Sequence, residues 1–408
     1  MKLLKIIFFL LLLVSPIFDY IYKWTEGGNS PALILRAVAA VLMIFMLLPR
    51  STSLGKGIGI TKTVTFLMFY VGIVSFIALP NITSLYALIR VLYSFLGFLF
   101  IYHLAKTSSI TEKELSVFFM LLLVILTIKA YLNIGHRLDM HSGLNKADNT
   151  GYSLVCAYAS VMFFSNKKTF PIPLLLVIIG TLLCGKRGAI IAMTIATLPI
   201  VLYIFMGRQL KTSRKFLYIA FVALGFILAI QHFTTYFDAT FGRFEAITDD
   251  HGSGRDQLYT LYFEHYKNSD LMHQVFGHGL SAGTFGANKP YAFTETAAHS
   301  DWLEMLYDFG IVGTLAYAIV FIQLLNIIIQ NRKKRNNYYY MLVMSFIIWF
   351  IKSIVSSTFL LDISSIYLYM TTAYAIARLE LDNQNCNDNY QLHRGHQSQQ
   401  QIPVLQKK

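Results

Sequence analysis

Long apolar runs recur along nearly the whole chain, and most are close to the length of about 20 residues that a helix needs to cross a bilayer. A helix satisfies all of its own backbone hydrogen bonds, so such runs can lie in lipid. The runs lie at about 5–22, 31–49, 62–80, 83–105, 115–134, 151–164, 170–184, 187–206, 215–232, 310–330, 338–356 and 359–378. The sequence therefore predicts an all-α, polytopic membrane protein of about 12 transmembrane helices.

Lysine and arginine are concentrated in the short loops on one side of these runs, which by the positive-inside rule is the cytoplasmic side and includes both termini. The opposite side carries a loop at about 133–150 and a much longer polar stretch before residue 310. We therefore predict four parts. They are helices 1–9 in 1–232, a large and partly helical periplasmic loop in 233–309, helices 10–12 in 310–380, and a disordered cytoplasmic tail in 381–408.

The net charge of +13 does not indicate a nucleic-acid partner, because the basic residues are spread over short loops as topology determinants. Lys2 and Lys5 before an apolar run resemble a signal peptide, but no small-x-small cleavage site follows, so we expect an uncleaved first helix. The three cysteines lack metal-ligand spacing, and histidines five residues apart do not share a helical face. The sequence therefore predicts neither a metal site nor a cofactor.

The stretch at 298–313, AHSDWLEMLYDFGIVG, contains the main candidate catalyst. Ser300 suits the N-cap of a short helix at the membrane surface, and Gly310 suits its end. Its carboxylates share one helical face: Asp301, Glu304 and Asp308. His299 would lie just outside the positive end of the helix dipole, which favours a neutral imidazole able to act as a base. The alternative is an ordinary interfacial histidine.

Six cations occur where the positive-inside rule predicts few: Arg36, Arg90, Lys129 and Lys352 in the outward halves of predicted helices, and Lys186 and Arg187 at an outer turn. Together they indicate a basic, outward-facing cavity that could hold a phosphate or diphosphate group. Long side chains that reach the membrane surface could explain any one of them.

Two arginines are predicted in the first turn of a helix, Arg187 after Lys186 and Arg255 after a possible Ser253 cap. A cation there has the wrong sign for the helix dipole unless an anion binds at the same place. Alternatively, Arg187 contacts lipid headgroups and Arg255 pairs with a nearby carboxylate. Weaker candidates of the same kind are Arg243 and Arg137. Tyrosines in the long loop could stack on sugar rings, or simply pack the loop helix: Tyr259, Tyr262, Tyr266 and Tyr291.

Four short motifs in this order resemble the O-antigen ligase and polymerase family of bacterial envelope glycosyltransferases. They are Lys186-Arg187-Gly188, Ser253-Gly254-Arg255, Gly277-His278-Gly279-Leu280, and His299-Ser300-Asp301-Trp302-Leu303-Glu304 followed by Gly310-Ile311-Val312-Gly313. The family often has asparagine where this chain has Ser300. The resemblance implies a GT-C-like membrane enzyme with its active site at the periplasmic face of the bacterial inner membrane.

The implied reaction transfers a glycan from undecaprenyl diphosphate to an acceptor sugar hydroxyl, with inversion and without a metal ion. His299 would be the base, and Arg187, Arg255 and Lys186 would bind the diphosphate. Further substrate contacts could come from Arg243, Arg137, Arg36, Arg90, Tyr259 and Tyr291. The expected partners are the lipid-linked oligosaccharide, the acceptor glycan, the bilayer, a flippase and a chain-length regulator. The sequence favours a polymerase of O-antigen or exopolysaccharide repeats; the alternatives are a ligase to lipid A-core and a lipid-linked oligosaccharide flippase.

Overall fold

The computed structural model describes residues 2–25, 31–47, 59–78, 82–139, 148–165, 167–206, 251–280, 298–356 and 364–400, together with the single positions 213, 215, 216, 220, 223, 227 and 282. Thirteen α-helices and no strand occur in these stretches. The helices are α1 (Lys2–Thr25), α2 (Ala32–Leu47), α3 (Gly59–Ile77), α4 (Ile82–Lys106), α5 (Glu112–Asp139), α6 (Thr150–Tyr158), α7 (Pro171–Cys184), α8 (Arg187–Met206), α9 (His251–Lys267), α10 (Leu271–Phe276), α11 (Asp301–Asn331), α12 (Asn337–Val355) and α13 (Ser365–Gln400). The predicted all-α membrane class is confirmed.

Six of the described helices are long and apolar enough to cross a membrane: α1, α3, α5, α8, α11 and α12. Four shorter apolar helical segments accompany them, namely α2, Val91–Lys106 of α4, Thr150–Phe164 and α7. The predicted span at 215–232 lies almost wholly outside the described residues, so the total of twelve stays a prediction. The last helix, α13, runs to Gln400, past the position near 381 at which the sequence predicts a disordered tail.

Polar contacts join the end of α4 to the middle of α13, and the start of α5 to the start of α12, on the predicted cytoplasmic side. The Tyr102 hydroxyl donates to Glu380 Oε2 at 2.7 Å, and Lys106 Nζ lies 2.8 Å from the same carboxylate oxygen. On α12, the Tyr338 hydroxyl donates to Glu112 Oε2 at 2.5 Å. These contacts fix one end of α12, so its other end, at Val355, is held at the predicted outer side.

A buried carboxylate joins three helix ends beside the predicted outer loop at about 133–150. Asp148 accepts hydrogen bonds from Asn133 Nδ2 at 2.6 Å and from the backbone and hydroxyl of Thr150 at 3.1 Å each. Its own backbone N–H donates to the Cys184 carbonyl at 3.0 Å. Because these bonds join the end of α5, the start of α6 and the end of α7, they position the turn that carries Lys186 and Arg187.

Candidate active site

The long helix α11 consists of two helical segments that meet at Gly310, where the backbone is not helical (φ 63°, ψ −167°). A side chain is excluded there, because a Cβ atom would overlap the backbone carbonyl of Val275. Only glycine adopts this conformation readily. The outer segment, Asp301–Phe309, therefore ends where the sequence predicts.

The kink leaves carbonyls at the end of the outer segment without their usual helical donors, and the neighbouring loop supplies replacements. The backbone N–H of His278 donates to the Tyr307 carbonyl at 3.1 Å, and that of Gly279 donates to the Asp308 carbonyl at 2.8 Å. Gly277 also packs so closely on Asp308 that a Cβ atom would overlap the carbonyl. The Gly277–Leu280 motif is therefore a docking segment for the outer part of α11.

A tyrosine from a membrane helix completes this junction. The Tyr70 hydroxyl, on α3, lies 2.9 Å from the Phe309 carbonyl oxygen and 3.1 Å from the Phe276 carbonyl oxygen. It can donate to only one of them at a time. The hydroxyl thus links the end of α10, the kink in α11 and the membrane helix α3.

His299 precedes the outer segment in a left-handed backbone conformation, with φ of 55°. This conformation is uncommon for any residue other than glycine and has to be held by its surroundings. The His299 backbone N–H donates to Glu304 Oε1 at 3.0 Å. Ser300 occupies the predicted N-cap position, but its side chain makes no capping hydrogen bond. The Glu304 carboxylate is thus what fixes the backbone beside the candidate base.

The acidic face of the outer segment points into the protein, although the sequence suggests a helix lying on the membrane surface. Asp301, Glu304 and Asp308 are all buried, with exposures of 0, 3 and 2%. Asp301 Oδ2 accepts from the Tyr317 hydroxyl at 2.9 Å, and the same hydroxyl accepts from Trp349 Nε1 at 3.0 Å. Since buried carboxylates need such donors, this chain of bonds sets how the segment packs against α12.

The end of α12 connects this segment to the outward cations. Trp302 Nε1 donates to Ser353 Oγ at 3.1 Å. The neighbouring Lys352 is fully buried, and its ammonium group lies 4.8 Å from the ring centre of Tyr152 on α6. The Lys186 ammonium group lies 5.5 Å from the same ring centre. Two cations from distant parts of the chain thus lie close to the Tyr152 ring, and attraction between a cation and an aromatic face stabilises such an arrangement.

Arg187 is the first residue of α8, as predicted, and the following glycine lies against Tyr152. A Cβ atom on Gly188 would be 2.5 Å from the Tyr152 hydroxyl oxygen and 3.3 Å from Val355 Cγ2. Glycine at this position therefore leaves the space that the Tyr152 hydroxyl occupies. The start of α8, the end of α12 and Tyr152 meet at one point.

The helix α9 reaches the same end of α12, since the Tyr259 hydroxyl donates to the Ile354 carbonyl at 3.0 Å. Arg255 lies one helical turn before Tyr259, and its side chain is outside the described part of the structure. The prediction for the start of this helix is wrong. It begins at His251, so Ser253 lies within it and Arg255 lies beyond its first turn. A helix dipole therefore gives Arg255 less reason to bind an anion than the sequence suggests.

One stretch of the chain matches a known family. Residues 172–318 match a family model described as O-antigen ligase. We call this matched segment, residues 172–318, the O-antigen ligase domain. No curated protein sequence matches the chain. The resemblance is confirmed, and the O-antigen ligase domain contains Arg187 and His299, whereas Tyr152 and Lys352 lie outside the matched segment.

The other predicted site residues are not all brought to this point. Arg36, on α2, is buried and forms an ion pair with Asp19 of α1. Arg90 and Arg137 lie on α4 and α5, and their side chains are outside the described residues. Within the O-antigen ligase domain, Arg243 and Tyr291 also lie outside the described residues.

Sequence reasoning missed Tyr152 and Tyr70, the two hydroxyls that lie beside the O-antigen ligase motifs. A tyrosine in an apolar run has the same pattern as a core aromatic residue, and only its position at the predicted outer end of the run distinguishes Tyr152. Among the described residues, no group of three or more His, Cys, Asp and Glu side chains could hold a metal ion.

The docking segment of the O-antigen ligase domain contains a stack of aromatic rings. The His278 ring lies between His273, at 4.2 Å between ring centres, and Tyr307, at 4.6 Å. His278 Nε2 lies 2.8 Å from Ser269 Oγ. Burial, reinforced by the charge of His273, lowers the pKa of His278 to about 4. The folded domain therefore resists protonation of this ring.

We expect this segment of the O-antigen ligase domain to lose stability as the pH falls from 6.5, the ordinary pKa of His278, towards about 4. Between these values the unfolded chain binds a proton that the folded chain does not, so stability is complete above 6.5 and decreases below it. His273, His265 and Asp270 lie nearby and are unchanged in the variant, so the comparison is between wild type and His278→Gln. The unfolding temperature of the detergent-solubilised full chain should fall less steeply with pH in the variant. Equal slopes in both proteins would contradict the assignment.

Proposed function

We propose that this protein is a glycosyltransferase that moves a glycan from undecaprenyl diphosphate to an acceptor sugar hydroxyl at the periplasmic face of the inner membrane. Within this class we propose a polymerase of O-antigen or other surface polysaccharide repeats. One observation carries the proposal: the strained backbone of His299, held by Glu304 on a helix that packs beside the outward cations. Backbone strain of this kind is concentrated at functional sites.

The arrangement supports direct displacement at the anomeric carbon. The acceptor hydroxyl oxygen attacks this carbon while the His299 imidazole takes the hydroxyl proton. The bond from the anomeric carbon to the diphosphate oxygen breaks, and the diphosphate leaves with the electron pair. Arg187, Lys186 and Arg255 stabilise the negative charge that develops on it. A single displacement inverts the anomeric carbon.

The choice of polymerase rests on two sequence features, the His-Ser-Asp-Trp-Leu-Glu form of the histidine motif and the tyrosine-rich loop helix α9, which resemble those of polymerase members. The second candidate is a ligase that moves the finished chain to lipid A-core, which the description of the matched family favours. In either case we propose cytoplasmic termini, a flippase that supplies the donor, and, for the polymerase, a chain-length regulator.

One experiment separates these activities. The purified full chain in detergent, with no ion gradient, is supplied with undecaprenyl-diphosphate-linked repeat units, with or without lipid A-core. We expect longer lipid-linked glycans without lipid A-core, because a polymerase uses a second lipid-linked unit as its acceptor. Product on lipid A-core alone would identify a ligase. Absence of transfer in both reactions would contradict the glycosyltransferase proposal and leave a lipid-linked oligosaccharide flippase as the alternative function.

A further inference from the structure

We infer that the Tyr152 hydroxyl donates a hydrogen bond to a phosphate oxygen of the polyprenyl diphosphate, close to the ammonium groups of Lys186 and Lys352. The inference rests on the proposed function, since it names two further contacts of the same donor. Tyr152 and Lys352 come from outside the segment that matches the family model. The diphosphate site would therefore be built from both the matched domain and the helices around it.

The first observation is the state of the hydroxyl itself. Tyr152 is 5% exposed, and among the described residues its hydroxyl oxygen has no hydrogen-bond partner. A buried hydroxyl without a partner is costly, because it has lost its hydrogen bonds to water. A phenylalanine would fill the same space without this cost. The presence of tyrosine rather than phenylalanine therefore indicates that the hydroxyl binds a ligand.

The second observation is the charge around this hydroxyl. Lys352 and Lys186 place ammonium groups 4.8 and 5.5 Å from the centre of the Tyr152 ring. The guanidinium-bearing Arg187 follows Lys186 at the start of α8, where backbone N–H groups and the helix dipole also favour an anion. Three basic side chains gathered at one place in a membrane protein can bind an anionic ligand. A phenol hydroxyl beside them can donate to a phosphate oxygen.

The third observation is the space reserved for the hydroxyl. A Cβ atom on Gly188 would lie 2.5 Å from the Tyr152 hydroxyl oxygen. Because glycine has no side chain, the hydroxyl can lie against the start of α8. The helices involved pack directly on one another: α6 contacts both α8 and α12, and α8 contacts α12. The hydroxyl thus has a fixed position relative to the helix start at which Arg187 lies.

The ligand chemistry is a phosphate oxygen on a lipid-soluble molecule, which either the undecaprenyl diphosphate donor or a phospholipid headgroup could supply. We assign it to the donor, because Trp302 connects the same end of α12 to the helix that follows His299. A donor held there has its diphosphate near the proposed base. A bulk phospholipid has no reason to bind at that point.

The test uses Tyr152→Phe in the full chain, with Tyr158→Phe as the matched control. Both tyrosines are buried on α6, but the Tyr158 hydroxyl lies 2.8 Å from Thr197 Oγ1. We expect Tyr152→Phe to weaken undecaprenyl diphosphate binding by about 10-fold or more, since hydrogen bonds to charged groups have this strength. Its unfolding temperature without ligand should stay the same or rise. Tyr158→Phe should show the opposite pattern, a lower unfolding temperature with unchanged binding.

Three outcomes would overturn the inference, and each is distinct. If Tyr152→Phe binds undecaprenyl diphosphate as wild type does while Arg187→Ala does not, the diphosphate site stands but the hydroxyl has no part in it. If Tyr152→Phe loses binding to phosphatidylglycerol vesicles and keeps binding to undecaprenyl diphosphate, the hydroxyl serves a phospholipid. If wild type does not bind undecaprenyl diphosphate, the proposed function fails together with the inference.

Discussion

Replacing His299 by asparagine is expected to lower the rate of glycan transfer by about 100-fold to 10,000-fold, the usual contribution of a general base. Asparagine is chosen because it accepts a positive φ better than most residues, so the backbone at φ 55° can persist. The hydrogen bond to Glu304 also persists, since the backbone N–H donates it. The variant therefore removes the imidazole and keeps the start of the helix.

The measurement is the initial rate of glycan extension by purified protein with lipid-linked repeat units, with elution volume and unfolding temperature as checks on folding. His265→Asn is the matched control. His265 also lies in the O-antigen ligase domain, near the end of α9, and has no place in the proposed chemistry. A His299→Asn protein with the wild-type rate would remove His299 from the mechanism.

Replacing Gly310 by alanine is expected to lower the free energy of unfolding by at least about 3 kcal/mol and to abolish transfer. The new Cβ atom would overlap the Val275 carbonyl and approach the Gly277 backbone N–H, and neither backbone can move without opening the junction. The hydrogen bonds from the docking segment to Tyr307 and Asp308 would then be lost. The helix that follows His299 would no longer be held in place.

Gly72→Ala provides the control, because Gly72 lies within helix α3 and a Cβ atom there meets nothing within 4 Å. Alanine in a helix interior is favoured over glycine by roughly 0.5–1 kcal/mol, so this variant should be as stable as wild type or more stable. Unfolding temperatures and limited proteolysis at 251–280 compare the two variants. A Gly310→Ala protein with the wild-type unfolding temperature and proteolysis pattern would contradict the role given to the junction.

The sequence predicts best the features that depend only on the residues of a single stretch of chain. The apolar run at 187–206 has the same bounds as α8, since a helix in lipid depends mainly on its own length and hydrophobicity. The break at Gly310 is likewise local, because glycine suits the end of a helix. The position of His299 directly before this helix follows from the same local reasoning.

The sequence predicts poorly what depends on how helices pack. The buried acidic face after His299 is one example. The carboxylate of Asp301 points inward because it accepts from Tyr317, which in turn accepts from Trp349 on another helix. The pairing of Arg36 with Asp19 is another, since the two residues lie on different helices. Tyr152 was missed for the same reason: the cations beside its ring come from the start of α8 and the end of α12.

The contact between the Gly277 segment and the kink at Gly310 is reciprocal. Each glycine lies against backbone atoms of the other segment, so a side chain at either glycine position would overlap the other segment. The Gly277 segment and the Gly310 kink, although separate in sequence, must therefore be replaced together when part of this protein is exchanged for that of a relative. A chimera that imports the outer loop of a relative, for example to change the acceptor, has to import both sides of this contact together.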